Sequence, residues 1–151
     1  MRYTGTYAIV LVLHLLTVVF VVGPTVLAPP LAARAARDGR VDALRDHLRT
    51  TRVYGIATIV TVLLGTAMVG LGDIGDQWGF GQAWISAAYA LWFVAVVLLL
   101  AVAAPAMRKA VTALESGQTA GSFAGRISAA GGLAGLAFTA VIVLMVLKPG
   151  A

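Results

Sequence analysis

One residue in the chain carries more chemical potential than its surroundings account for. His14 sits inside the apolar run TYAIVLVLHLLTVVFVVGPTVLA, residues 6–28. A helix needs about 20 apolar residues to cross the hydrocarbon of a bilayer, so this run reads as a membrane span. An ionisable ring at that depth is costly and is a functional candidate by default. The plainest role for it is a neutral imidazole hydrogen-bonded to a Thr, Ser or Tyr hydroxyl on another helix. As a metal ligand it has little company. Zinc takes three or four protein ligands, and the chain has no cysteine and only one other histidine, His47. Copper can use thioethers, but Met68 and Met145 belong to no methionine cluster in the sequence. Haem differs, because the porphyrin brings four nitrogens and a single axial imidazole completes the site. His14 is therefore the candidate metal ligand, and haem b is the cofactor compatible with it.

Other polar residues fall in step with His14. Tyr54, Thr58, Thr61, Gly65 and Met68 follow one face of a second apolar run, while Tyr7, His14, Thr17 and Thr25 approximate one face of the first. Polar stripes on neighbouring membrane helices turn inward, away from lipid. In antiparallel neighbours Thr61 and Gly65 bracket the depth of His14, and Gly65 leaves a flat gap opposite the ring. The binding candidates are thus His14, Thr17, Thr61, Gly65 and Met68, with Ser86, Tyr89 and Trp92 offered by a third run. Gly23-Pro24 is expected to interrupt the first helix. His47 lies among arginines and reads as solvated, and Asp73 and Asp76 form an acidic loop rather than a cation site. No Ser-His-Asp set, phosphate loop or pair of catalytic carboxylates is present, so no catalytic residue is assigned and an enzyme is not the expected reading.

Four runs must position these groups: residues 6–28, 53–72, 83–104 and 127–147. With 60% hydrophobic and 11% charged residues, against about 25% charged in soluble domains, the 151-residue chain is suited to lipid. The expected fold is all-α, a single domain forming a four-helix transmembrane bundle. Only Arg2 precedes the first run and arginines follow it, the reverse of a signal peptide's charge order. It is read as a retained span. Arg34, Arg37, Arg40, Arg45, Arg49 and Arg52 fill the first loop, and Arg108, Lys109 and Arg126 the third connection. The positive-inside rule then places those loops in the cytoplasm and both termini outside, as in a bacterial inner-membrane protein. The net charge of +5 is accounted for by this topology and by anionic lipid, not by nucleic acid. Within residues 31–52, Val41, Leu44 and Leu48 share a helix face, which predicts an amphipathic segment at the interface or a cytoplasmic extension of the second span. Trp78 and Phe80 read as interface anchors in the second loop. Gly131 and Gly135 form a GxxxG pair, which serves close helix packing inside the chain or a homo-oligomer face.

The segment LHLLTVVFVVGPTVLAP, with Leu13-His14 and then Gly23, resembles the first span of a set of small bacterial four-span proteins. The closest resemblance is to a family of predicted integral membrane proteins of unknown function. The pattern is also similar to the membrane region of copper-resistance protein D and to the HemJ-type protoporphyrinogen oxidase. The four-span layout covers the whole chain, but the specific motif is confined to the first span. The resemblance to the HemJ type implies a haem ligand at His14. It also implies a functional membrane lysine, whereas Lys109 and Lys148 fall at span edges here. The resemblance to copper-resistance protein D implies metal handling. Beside a cofactor or small-ligand pocket at His14, two other classes stay open: an oligomeric transporter or channel component lined by Tyr54, Thr58 and Thr61, and an accessory membrane subunit.

Overall fold

The computed structural model describes residues 5–71 and 81–149, which form four long helices: α1 Gly5–Arg37, α2 Val41–Leu71, α3 Ala83–Glu115 and α4 Gly121–Leu147. Each is long and apolar enough to cross a membrane, and with no water in the hydrocarbon only self-satisfied backbone of this kind can do so. The protein is a multi-pass integral membrane protein. Asp73, Asp76, Trp78 and Phe80 lie outside the described residues.

The helices run alternately up and down. α1 and α3 occupy opposite corners, each packed on both α2 and α4. α1 and α3 are each 33 residues. At about 1.5 Å per residue they reach roughly 50 Å, well beyond the ~30 Å of hydrocarbon. Of the two forms expected for Val41–Leu48, the structure takes the extension of the second span, and residues 31–52 divide at Asp38-Gly39. The first part ends α1 and the second part begins α2, joined by a turn in which Gly39 takes a positive φ of 68°.

The break expected at Gly23-Pro24 does not occur. The backbone widens into a π turn over Val18–Val22, with the Gly23 N–H donating to Val18 O, and α1 continues to Arg37. α3 repeats the device: a π turn over Leu98–Ala103 precedes Pro105, and the Ala104 N–H donates to Leu99 O. Proline has no N–H and crowds the preceding turn. A wider turn just ahead of it takes up the misfit.

The two ends of the bundle differ. At the basic end, Ala32, Ala33, Ala35 and Ala36 of α1 pack with Leu44, Ala103, Met107, Ala110, Ala124, Ile127 and Ala130 in a dry cluster. Small side chains let helix backbones approach closely where lipid supplies no hydrophobic force between helices. The Thr51 hydroxyl reaches Met107 Sδ at 3.8 Å, and Arg45 pairs with both Asp42 and Glu115. Gly131 and Gly135 are used here as well. A Cβ on Gly131 would lie 2.3 Å from Pro29 Cβ, and one on Gly135 3.2 Å from Val26 Cγ1. The GxxxG pair thus faces α1 of its own chain. A second cluster above it, Val22, Ala95, Leu99, Ala134, Ala137 and Phe138, closes the middle of the bundle.

Candidate functional site

Above Val22 and Phe138, toward the end that carries the chain termini, the four helices part around a cavity of about 340 Å³. That volume is at the small end of the range of about 300–1,000 Å³ for ligand pockets. α1 contributes Tyr7, Leu11, His14, Leu15, Val18 and Val22 to its wall. These recur at helical spacing, so one stripe of α1 faces inward.

His14 is buried, and its Nδ1 lies 2.9 Å from Thr61 O on α2. A carbonyl oxygen can only accept, so Nδ1 carries the proton and Nε2 of the neutral ring holds the lone pair. Nε2 has no hydrogen-bond partner among the described residues. Gly65, one turn beyond Thr61, supplies the clearance for the ring. A Cβ there would come within 3.2 Å of His14 Cε1 and 3.6 Å of Nδ1. The Thr61 hydroxyl is buried on the cavity wall and has no hydrogen-bond partner in the described structure. Its carbonyl orients the imidazole while its side chain remains unsatisfied, a costly arrangement for a buried polar atom.

The α2–α3 side of the cavity is closed by polar contacts. The Trp92 indole N–H donates to Thr58 Oγ1 at 3.0 Å, and the Thr58 hydroxyl donates in turn to Gly55 O. The Tyr89 and Thr66 hydroxyls meet at 2.5 Å, and the Thr66 hydroxyl also donates to Val62 O. Trp84, Ile85 and Ala88 complete that wall.

The residues singled out by type and spacing are distributed as follows. His14, Thr61, Gly65 and Met68 share the cavity, with Tyr7, Thr58, Tyr89 and Trp92. Thr17 is not part of it: its hydroxyl donates to His14 O in its own helix at 2.7 Å. Thr25 lies below, bonded to Val21 O. Tyr54 and Ser86 face outward. Met145, which the sequence leaves isolated, lines the same cavity as Met68, and Lys148 lies at its edge with a φ of 42°. α4 runs antiparallel to α1, and that places residues far apart in sequence at one depth. His47 is at the basic end, away from the cavity. No group of three or more His, Cys, Asp or Glu able to hold a metal ion occurs among the described residues.

A family model described as a predicted integral membrane protein, DUF2269, matches residues 8–149. The chain belongs to this family. The match takes in all of α2, α3 and α4 and α1 from Ala8 onward. No curated protein and no solved structure matches the chain. The family description assigns membrane residence and no biochemical activity.

Proposed function

We propose that this protein binds a haem- or porphyrin-class ring in the bilayer, with His14 Nε2 as its single protein-derived axial ligand. The observation that supports the reading most is the tether of His14 Nδ1 to Thr61 O. Metal-ligating histidines characteristically donate their other ring N–H to a carbonyl or carboxylate, which fixes the tautomer and aims the lone pair. The cavity fits the class of ligand in two further ways. Its wall is almost wholly apolar, and Gly65 keeps side-chain bulk away from the imidazole. A bare divalent ion fits less well, since it would need further ligands that the cavity does not gather. Met68 and Met145 are the thioethers available on the same wall.

Bound haem supplies redox or small-gas chemistry, tuned by the axial ligand and by the dryness of the pocket. The chain's own contribution is to orient the imidazole, exclude water and close the α2–α3 side with Trp92 and Tyr89. In the same reading the arginine-rich end faces the cytoplasm of a bacterial inner membrane, following the positive-inside rule. The test is absorption of the purified protein titrated with hemin. The native chain is expected to develop a Soret band shifted from that of free hemin, and His14→Ala to lose it or shift it again. A native chain that shows no Soret change with hemin supplied in excess overturns the proposal.

A further inference from the structure

We propose that the cavity is filled sideways from the bilayer, through the seam between the first halves of α1 and the last turns of α4, so that its ligand arrives dissolved in hydrocarbon. The inference rests on the reading of the cavity as a ligand site but not on the ligand being haem.

The wall of the cavity is unequal. On α3, Trp84, Ile85 and Ala88 are shut away from the surroundings, with Trp84 7% and Ile85 3% exposed, while Tyr89 and Trp92 are half-buried. Its residues on α1 and α4 are open on their other side: Leu15 is 53%, Ile142 46% and Val146 74% exposed. A side chain that lines a cavity and also meets the exterior marks a place where the wall is one residue thick or parted. The packing agrees. α1 and α4 press together below the cavity, where Pro29 meets Gly131 and Val26 meets Gly135. Above the π turn at Val18–Val22, residues Gly5–Thr17 of α1 have at most marginal contact with α4. The opposite seam, α2 to the first half of α3, is equally thin in helix contact, but it is latched by Trp92 to Thr58 and Tyr89 to Thr66, a kind of latch that Leu11, Leu15, Ile142 and Val146 at the α1–α4 seam cannot form.

The chemistry of the open seam selects the traveller. Leu11, Leu15, Ile142 and Val146 offer no donor, acceptor or charge. A hydrated ion or polar metabolite would lose its water there without compensation. An apolar or amphiphilic planar molecule already in the membrane would not. Once inside it meets a polar group the lipid lacks, the His14 imidazole.

The test fills the seam. Leu15→Phe with Val146→Phe enlarges two side chains that face both lipid and cavity. A matched control, Val19→Phe with Leu136→Phe, alters two exposed positions of the same helices that do not line it. The proteins are placed in vesicles containing brominated acyl chains, with Trp78, outside the described residues, replaced by Phe so that Trp84 and Trp92 report. The native chain and the control are expected to be quenched alike, and the filled seam to cut the quenched fraction at least by half. In a second arm hemin is supplied from preloaded vesicles. The filled seam is expected to slow growth of the Soret band at least tenfold relative to the control pair. Equal quenching in native and filled proteins overturns the lateral entry, as does an unchanged loading rate. If native protein takes up no hemin but the quenching difference holds, the seam stands and the haem reading fails.

Discussion

The basic end and the terminal end of this bundle use small residues for opposite purposes. At the basic end, Gly131 and Gly135 remove side chains so that helices can touch, and Pro29 and Val26 fill the space. At the terminal end, Gly65 removes a side chain so that a ring can be held, and the space around it is left open. The polar groups divide the same way. Thr51 at the basic end is buried with a partner in Met107. Thr61 at the terminal end is buried without one. A bundle that needed only stability could have packed both ends like the first. In the proposed reading the basic half is scaffold and the terminal half holds the site.

The comparison can be broken most severely at Gly131. A Val there forces backbone or Pro29 to move, since even Cβ falls 2.3 Å from Pro29 Cβ. The obstacle is a proline ring with its backbone 3.6 Å away rather than the end of a flexible side chain, so the cost exceeds the roughly 1–3 kcal/mol of ordinary overpacking. We expect Gly131→Val to lower the melting temperature in detergent more than any other change considered, with aggregation on heating. A native-like melt would remove the scaffold role from this contact. Next is Met107→Ala. Met107 is fully buried in the dry cluster, and such truncations cost about 2–5 kcal/mol. The melt should fall clearly while hemin affinity per folded molecule stays within a factor of two. A selective loss of hemin binding would show that the two ends are not separable.

Smaller effects on stability, but larger ones on binding, are expected at the terminal end. Gly65→Ala puts a methyl 3.2 Å from His14 Cε1, so the ring must shift by a few tenths of an ångström. Hemin affinity should fall about tenfold, equivalent to about 1.4 kcal/mol, with a melt close to native. An unchanged affinity would show that the ring position is not critical. Smallest of all is Thr61→Val. It deletes an unpartnered hydroxyl but keeps the carbonyl that holds His14. The apo protein should be as stable as native or slightly more so, because removing an unsatisfied buried group can be neutral or favourable. A loss of more than about 1 kcal/mol, a typical hydrogen-bond contribution, would mean that the hydroxyl has a partner within the chain.

Much of this arrangement could be read from the residue order. Four apolar runs bounded by charge gave the spans, because only helices and closed barrels satisfy the backbone in lipid. The adjacency of His14 with Thr61 and Gly65 followed from depth, since each residue advances a helix by about 1.5 Å. Periodicity could not say which atom of Thr61 meets the ring. A hydroxyl partner was the simpler guess, yet the carbonyl took that place and the hydroxyl was left over. Thr17 misled because a threonine in a helix can satisfy itself on its own backbone, and it does so on His14 O. Met145 was missed because the residues that share its cavity come from three other helices, and only the assembled bundle brings them to one depth. Gly23-Pro24 announced a break, but the π turn ahead of it kept the helix whole, and α3 does the same ahead of Pro105. The GxxxG pair pointed to close packing, and its partner inside the chain was a proline-bearing turn of α1.

Amide hydrogen exchange, followed by mass spectrometry across the whole chain with and without hemin, tests the division of labour most directly. Site and scaffold predict that hemin slows exchange in residues 5–22 and 58–69, which carry His14, Thr61 and Gly65. They also predict no change in residues 103–130, which are already packed. In His14→Ala the difference should vanish from the first group. Slowed exchange at the basic end, or slowing in the terminal half that survives loss of the imidazole, would contradict the account.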